Sequence, residues 1–390
     1  MTKQFNSKGD LAHNGAPPAF RDPLHVGRPN IGDRDHFLQF ADEILKRRWL
    51  TNDGEVVRSL EKEICKLLDV RHCIAMCNGT IALEIAIRAL GLKGEVIVPA
   101  WTFIATAHAL YWQGITPVFA DIDPATQNLD PVSVREKISP QTSGIIGVHL
   151  WGRPAPIQEL QALADEYGIK LMFDAAHAIG CTYNGQHIGK FGACEVLSFH
   201  ATKVFNTFEG GAVVTDDDEL AEAMRLMRNF GFAGYDNVVY PGTNGKLTEV
   251  CAAMGLVNLN SLQNFIECNR QRYEAYLGAL NGVEGLKLIS PCGTSTPNYH
   301  YVVLVLDQQL AGQRDELIKT LHAENVLARK YFWPGCHRML PYREGAPWEA
   351  TNVPNTDDIA RRVLVLPTGS AVRLDDIFTI AEIIKCYLAN

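Results

Sequence analysis

The sequence predicts an α/β fold with a mainly parallel seven-stranded sheet between helices, followed by a smaller C-terminal α/β domain. Between residues 71 and 217, short β-rich runs alternate with helical stretches, as expected for parallel strands joined by crossover helices. The runs lack a clean alternation of apolar and polar residues, which is typical of strands that helices cover on both faces. The seven runs are IAMC, EVIVPA (95–100), TPVFADI (116–122), SGIIGVHLW (143–151), IKLMFDAA (169–176), EVLSFH (195–200) and GAVVTDD (211–217).

Apolar residues at helical spacing predict helices before, between and after these strands. Two of them precede the sheet, over residues 35–48 and 56–68. The others are predicted over 81–90, 157–167, 219–228, 249–280, 313–323 and 375–388. Two further β-rich runs, NYHYVVLVL and NVLARKYF, lie among the last of these helices and predict the sheet of the smaller domain.

We expect three parts along the chain. Residues 1–22 are polar and include Pro17 and Pro18, a composition that buries too little apolar surface to fold by itself, so we predict a flexible arm there. Residues 23–245 are predicted to form the large domain with its leading helices. Residues 246–390 are predicted to form a connecting helix and the small C-terminal domain.

The composition favours chemistry on small molecules over binding of nucleic acid or membranes. Of the 390 residues, 47% are apolar and 21% charged, and the formal net charge of −8 comes from scattered acidic residues, without a basic patch. The ten cysteines lie at irregular intervals without a CxxC pair, so we expect reduced thiols and no metal site. No apolar run has the length of a signal-peptide core or a membrane span, which predicts a cytoplasmic protein.

Polar residues at the carboxyl ends of the predicted strands are the first candidates for a site, because an open α/β sheet binds its ligand there. Gly79 and Thr80 begin a helix, where free N–H groups and the helix dipole favour a phosphate, although Thr80 alone could be a simple cap. Asp174 ends another strand and could equally cap a helix, or it could hold a protonated pyridine nitrogen. His177 could line the same ring or be a core histidine.

A lysine follows the next strand end. Ser198 ends the run EVLSFH, and Lys203 lies five residues later, beside apolar and aromatic residues and before the pair Gly210 and Gly211. Desolvation lowers the pKa of a lysine and makes its amine a usable nucleophile for an imine. The alternative is an ordinary surface lysine in a loop.

Several motifs, in this order along the chain, resemble those of one enzyme family. They are NGTIALEIAI, VPAWTFIAT, DIDPATQNLD, DAAHAIG, SFHATKVFNTFEGGAVV, NGKLTEVCAAMGL and YFWPGCHRMLPY. Together they resemble the sugar-nucleotide aminotransferases of the DegT and DnrJ type, which are pyridoxal 5′-phosphate (PLP) enzymes of fold type I. The similarity extends from about residue 25 to the C-terminus.

The resemblance implies roles in holding the cofactor. Lys203 is similar to the lysine that forms the Schiff base with PLP, and Asp174 to the partner of the pyridine nitrogen. Trp101 is expected to stack on the ring face, which suits the flat surface of indole. The cofactor phosphate is then expected to contact Gly79, Thr80 and Ser198.

The resemblance also implies a homodimer with shared active sites, in which Asn244 reaches the cofactor phosphate of a second subunit. Many relatives have an arginine where this chain has Lys246, so its contact with the substrate phosphates is an open expectation. His200, His337 and Tyr342 are candidates for contact with the sugar, and a packing role is the alternative for each.

The implied activity is transfer of the amino group of L-glutamate to a nucleotide-linked keto-deoxysugar, with the cofactor passing through pyridoxamine 5′-phosphate. We expect C4 of dTDP-4-keto-6-deoxyglucose to be the acceptor, and C3 of a dTDP-3-keto-6-deoxyhexose is the alternative. A PLP-dependent sugar dehydratase would have histidine in place of Lys203, and a non-catalytic regulatory protein would lack Lys203 or Asp174.

Overall fold

The computed structural model describes residues 3–291, 293, 295–344, 348 and 351–389. Within these ranges the predicted sheet is present and has seven strands. In spatial order they are His72–Met76, Gly211–Thr215, Glu195–Ser198, Lys170–Asp174, Thr142–Val148, Glu95–Pro99 and Thr116–Ala120. Neighbouring strands are parallel except Gly211–Thr215, which is antiparallel to both of its neighbours. The prediction of a mainly parallel sheet is confirmed.

Helices cover both faces of this sheet, so successive residues of one strand point into two different apolar cores. Strand Lys170–Asp174 illustrates the arrangement, because Leu171 and Phe173 belong to one core and Met172 to the other. All three side chains are buried. Burial on both faces explains why the β-rich runs of the sequence lack alternation.

The helices of the large domain begin and end at residues that satisfy their terminal backbone groups. Asp33 accepts hydrogen bonds from the N–H groups of Asp35 and His36 at the start of the first helix. Gly168 takes the left-handed conformation, with φ of 64°, at the end of another. These helices are Arg34–Arg47, Glu55–Leu68, Gly79–Ala89, Ala105–Tyr111, Pro131–Lys137, Ile157–Tyr167, Asp218–Met227 and Glu249–Asn260.

The predicted helical stretch 249–280 consists of two helices that meet at Ser261. The first, Glu249–Asn260, packs Ala252 and Ala253 into a core of the large domain. The second, Leu262–Ala279, places Tyr276 in the core of the small domain. The two helices therefore connect the cores of the two domains, and the division after residue 245 stays a prediction.

The small domain contains an antiparallel sheet of strands Leu286–Leu288, Val302–Leu306 and Val363–Leu366. Of the predicted strand NVLARKYF, only Val326–Leu327 is a strand, and it pairs with Leu24–His25. The helices after residue 261 are Leu262–Ala279, Arg314–Ala323, Leu340–Arg343, Pro354–Arg362 and Leu374–Leu388. Among the described residues, none of the helices is both long and apolar enough to cross a membrane.

Residues 3–22 differ from the flexible arm that their composition predicted, because they pack against the small domain. Leu11 is 2% exposed and belongs to the apolar core of that domain. The buried carboxylate of Glu324 accepts hydrogen bonds from the N–H groups of Ala12 and Ala19, each at 2.6 Å, and forms an ion pair with Lys3 at 3.0 Å. Anchoring by one distant carboxylate is not visible in local composition, which explains the difference.

Candidate active site

A cavity of about 430 Å³ lies at the carboxyl ends of strands Lys170–Asp174 and Glu195–Ser198. The large domain provides one wall, and residues of the small domain provide the other. The structure brings together many of the residues that the sequence predicted for the site. Those that line the cavity are Gly79, Thr80, Asp174, His177, Ser198, His200 and Lys203.

One end of the cavity has the features of a phosphate site. Helix Gly79–Ala89 begins there, and Asn78 Oδ1 accepts a hydrogen bond from the Ile81 N–H at 2.8 Å. The N–H groups at the start of an α-helix have no partners within the helix, so those of Gly79 and Thr80 can donate to an anion. The Ser198 side chain lines the same end and adds a hydroxyl donor.

Close backbone packing holds this helix start beside Ser198. Gly211 is paired with Ser198 in the sheet, and a Cβ atom at Gly211 would lie 2.6 Å from the backbone nitrogen of Gly79. A Cβ atom at Gly79 would in turn lie 3.2 Å from the Ser198 Cβ atom. Glycine at both positions therefore allows the helix start and the serine hydroxyl to face one small anion.

Asp174 is held in a fixed orientation. Its side chain accepts hydrogen bonds from Thr106 Oγ1 at 2.8 Å and from the Ala176 N–H at 3.0 Å, one on each carboxylate oxygen. The residue is 6% exposed. A carboxylate with both oxygens oriented can still accept from a protonated ring nitrogen in the cavity, since each oxygen has two acceptor sites.

Lys203 presents a free amine in the cavity. Its backbone N–H donates to the His200 carbonyl at 2.9 Å, whereas its Nζ atom has no hydrogen bond or ion pair with the residues that the structure describes. Burial lowers the pKa of Lys203 from 10.5 to about 8, and the negative charge of Asp174 opposes part of this shift. The amine is therefore a stronger nucleophile near neutral pH than an ordinary lysine.

Two imidazoles beside Lys203 are uncharged at neutral pH. His177 Nδ1 accepts a hydrogen bond from the Trp151 N–H at 3.3 Å, which assigns the ring proton to Nε2. Burial lowers the pKa of His177 well below its usual value, and the charge of Lys203 adds to the effect. His300, which we did not predict from sequence, has its pKa lowered to about 3 by the same two causes.

The structure corrects the expectation for Trp101. Its side chain is 1% exposed, is not part of the cavity lining and packs edge-on against Phe332 with ring centroids 5.9 Å apart. Phe103, two residues later, lines the cavity and is 54% exposed. In the loop after strand Glu95–Pro99, Trp101 points into an apolar core and Phe103 points toward the cavity. Phe103 is therefore the residue that can cover a ring face.

His337 and Tyr342 are also outside the cavity lining. The Tyr342 hydroxyl forms a hydrogen bond with His108 Nδ1 at 2.8 Å, and the tyrosine ring is fully buried. His337 Nε2 lies 3.0 Å from Asp357 Oδ1 and is buried as well. Of the two alternatives for these residues, the structure supports packing rather than contact with a sugar.

Asn244 and Lys246 do not line the cavity of their own chain. Lys246 Nζ donates to Asn244 Oδ1 at 2.7 Å and to Asn229 Oδ1 at 3.0 Å. Burial lowers the pKa of Lys246, and the charge of Arg228 adds to this shift. The contact with a phosphate that was expected for these two residues stays a prediction.

Other residues of the site were not predicted from the sequence. Thr106, which is buried outside the cavity lining, follows strand Glu95–Pro99, and its bond to Asp174 depends on the fold. The small domain adds an aromatic and cationic wall made of Tyr301, Arg329, Tyr331 and Phe332. The motif YFWPGCHRMLPY contained two of these residues, but its pattern did not show which side chains face the site.

Comparison with known proteins identifies relatives across almost the whole chain. The model of the DegT/DnrJ/EryC1/StrS aminotransferase family matches residues 32–385. The chain is 37% identical over 363 residues to the dTDP-4-amino-4,6-dideoxy-D-glucose transaminase of Shigella dysenteriae, covering 93% of this chain and 98% of the relative. It is 35% identical over 349 residues to the enzyme of the same name from Escherichia coli, covering 88% and 93%.

A solved structure has nearly the same fold. The crystal structure of DesI in the presence of its TDP-sugar product superposes with a TM-score of 0.93 and 46% sequence identity, covering 97% of this chain and 96% of DesI. The similarity confirms the predicted aminotransferase fold.

Proposed function

The chain belongs to the DegT/DnrJ/EryC1/StrS aminotransferase family, and on that premise we propose that it uses PLP to transfer the amino group of L-glutamate to C4 of dTDP-4-keto-6-deoxyglucose. The main support is the pairing of two residues in one cavity. Lys203 offers an amine without a partner among the described residues, and Asp174 is a buried carboxylate with a fixed orientation. A nucleophilic amine and a partner for a ring nitrogen are what this cofactor requires.

The cavity fits each chemical part of PLP. The phosphate fits the helix start at Gly79 and Thr80 beside Ser198, where a Cβ atom on the glycine would crowd the serine. Asp174 would hold the pyridine nitrogen, and Phe103 would cover a ring face. When bound, PLP supplies an electron sink for the carbanion that transamination forms on the substrate.

Lys203 would hold and move the proton. Its Nζ atom would accept the proton from Cα of the amino donor in the first half-reaction and hold it as an ammonium group for return to the bound intermediate, and it would deliver a proton to C4 of the sugar in the second. A pKa of about 8 suits a general base near neutral pH, since a usable fraction of the amine is neutral there. The neutral imidazoles of His177 and His300 keep further positive charge away from this amine.

The names of the relatives favour C4 and a dTDP sugar. Two of them are dTDP-4-amino-4,6-dideoxy-D-glucose transaminases, and DesI was solved with a TDP-sugar product. No observation on this chain favours the C3 alternative. The presence of Lys203 argues against a dehydratase, and the presence of both Lys203 and Asp174 argues against a regulatory protein without activity.

A homodimer with shared sites is part of the proposal. The loop 228–245 exposes large apolar side chains, which is unusual for a surface that stays in water. They are Phe230, Phe232, Tyr235, Val238, Val239 and Tyr240. Asn244 ends this loop, and the family resemblance supports a contact of Asn244 with the cofactor phosphate of a partner subunit and of Lys246 with the sugar diphosphate.

His200 is proposed to contact the sugar at the rim of the cavity. Its imidazole is partly exposed, with Nδ1 2.7 Å from Thr202 Oγ1 and Nε2 3.5 Å from Glu209 Oε1. All three side chains line the cavity. These side chains include donors and acceptors that can form hydrogen bonds with the hydroxyl groups of a sugar.

The proposal is tested with purified protein, PLP, L-glutamate and a panel of 3-keto and 4-keto nucleotide sugars. We expect a yellow protein whose visible band is bleached by glutamate, and a product with the new amine on C4 by NMR. A protein that stays colourless with added PLP would overturn the cofactor assignment. Amination at C3 alone would overturn the substrate assignment and leave the aminotransferase assignment intact.

A further inference from the structure

Arg329 places a guanidinium group at the small-domain wall of the cavity. Its backbone is fixed by two hydrogen bonds with Val365, one from the Arg329 N–H at 3.0 Å and one from the Val365 N–H at 2.8 Å. The guanidinium carbon lies 4.8 Å from the centre of the Tyr331 ring, and both residues line the cavity. The exposed side chain is therefore held at the cavity wall by its backbone and by a neighbouring ring.

This guanidinium lacks an anionic partner among the described residues. The neighbouring cations are paired, because Arg314 and Lys330 contact Asp315 at 2.5 and 2.9 Å. Arg329 forms neither an ion pair nor a side-chain hydrogen bond within the described part of the chain, and its guanidinium packs over the Tyr331 ring. An unpaired guanidinium beside a cavity is well suited to a planar anion, which it can bind with two parallel hydrogen bonds.

We infer that Arg329 binds the α-carboxylate of the amino donor, an inference that rests on the proposed function. In transamination the donor nitrogen lies at the reacting centre, and its α-carboxylate is attached to the adjacent carbon. That carboxylate must therefore enter the cavity close to Lys203, where an anion without a partner is costly. The diphosphate of a nucleotide sugar is separated from the reacting carbon by most of the sugar ring, so it lies farther from Lys203.

Equilibrium binding to the PLP-loaded enzyme separates this role from general catalysis. The probe is 2-methyl-L-glutamate, which lacks a Cα proton and so shifts the visible band without turnover. Replacement of Arg329 by glutamine (Arg329→Gln) should weaken its binding by about tenfold or more, as expected for loss of a charged hydrogen bond. Lys330→Gln, which removes one positive charge at the next residue but outside the cavity, should change it by less than about threefold.

Two further ligands identify the anion. 4-Aminobutyrate keeps the side-chain carboxylate of glutamate but lacks the α-carboxylate, so Arg329→Gln should leave its binding nearly unchanged. The kcat/KM for the keto sugar nucleotide should also stay the same, because it depends only on the second half-reaction. Arg329→Lys, which keeps the charge but not the paired donors, should show an intermediate loss for 2-methyl-L-glutamate and covers the case in which the glutamine variant folds poorly.

Each other outcome contradicts the inference in a distinct way. An equal loss for 4-aminobutyrate would assign Arg329 to the side-chain carboxylate. A loss confined to the nucleotide sugar would assign it to the diphosphate, and no loss at all would remove it from substrate binding. Wild-type enzyme whose band responds to neither amino acid would instead overturn glutamate as the donor and, with it, the proposed function.

Discussion

Thr106 Oγ1 donates a 2.8 Å hydrogen bond to Asp174 Oδ2, and both residues are buried. Thr106 lies in helix Ala105–Tyr111, and Asp174 ends the strand Lys170–Asp174. The bond therefore ties the orientation of the carboxylate to a helix that begins just after Phe103. Asp174 and Phe103, which are both proposed to contact the cofactor ring, are therefore linked through the short segment from Phe103 to Thr106.

Thr106→Val should lower kcat by about tenfold, because valine has the shape of threonine but leaves one oxygen of Asp174 without its donor. The visible band of the bound cofactor should also change its pH dependence, since Asp174 would be less firmly held beside the ring nitrogen. Thr106→Ser keeps the hydroxyl and should restore both properties. Wild-type kcat and an unchanged band in the valine variant would show that the bond has no positioning role.

The pKa of Lys203 predicts how fast the protein without cofactor takes up PLP at different pH. Imine formation needs the neutral amine, and a pKa of about 8 leaves about one-tenth of the lysine neutral at pH 7. The rate should rise about tenfold per pH unit up to about pH 8 and then level off, as followed by growth of the visible band.

The sign of the Asp174 effect can be tested in the same way. The negative charge of Asp174 raises the pKa of Lys203. Asp174→Asn should therefore lower that pKa, and the rate of PLP uptake should level off at a lower pH than in the wild type. A rate that keeps rising to pH 10 in the wild type would contradict a lowered lysine pKa.

Phe103 and Trp101 should respond differently to substitution. Phe103→Leu removes an aromatic face from the cavity and should weaken PLP binding by about tenfold, with little change in the thermal midpoint. Trp101→Ala removes a large buried side chain and should cost about 3–5 kcal/mol of stability. Dialysis against buffers of graded PLP concentration and thermal melts without cofactor distinguish the two effects. The reverse result would return the ring-stacking role to Trp101.

The sequence was sufficient to predict the sheet and the residues at its strand ends. Gly79, Asp174, Ser198 and Lys203 meet because parallel strands end at the same edge, so a correct order of strands already brought them together. Trp101 was misplaced because both it and Phe103 lie in a loop, where no periodicity shows which residue faces the cavity.

The small-domain wall could not be predicted for a different reason. Tyr301 and Arg329 reach the cavity only through the packing of the two domains, because both lie about a hundred or more positions after Lys203 in the chain. Residues 3–22 were misread because Glu324, their anchor, lies more than 300 positions farther along the chain. Local sequence patterns thus predicted the helices, the strands and the residues at the strand ends. Contacts between segments that are distant in sequence could be identified only from the structure.

Gly211→Ala should damage the phosphate end of the cavity. The added Cβ atom would lie 2.6 Å from the Gly79 nitrogen and 2.7 Å from the Gly79 Cα atom, both backbone atoms that can move only with the helix start. We expect a loss of about 1–3 kcal/mol in stability and weaker retention of PLP on dialysis.

Gly278→Ala is the matched control for this substitution. Gly278 lies in helix Leu262–Ala279 with nothing within 4 Å of an added Cβ atom, so alanine there should leave PLP retention unchanged and raise stability by up to about 1 kcal/mol. Equal behaviour of the two variants would mean that the close approach of Gly211 and Gly79 is not needed for the phosphate site.

Mixing two inactive variants tests whether active sites are shared between subunits. Lys203→Ala removes the amine from the cavity, and Asn244→Ala alters a residue that lies outside the cavity of its own chain. In a hybrid of the two, one site would contain both defects and the other neither, so random reassortment should restore about a quarter of wild-type activity. A mixture of Lys203→Ala with Asp174→Ala, both in the same cavity, should restore none, because each hybrid site keeps one defect. If affinity capture of one tagged variant shows that the subunits have exchanged and the first mixture still recovers no activity, Asn244 does not contribute to the partner's site.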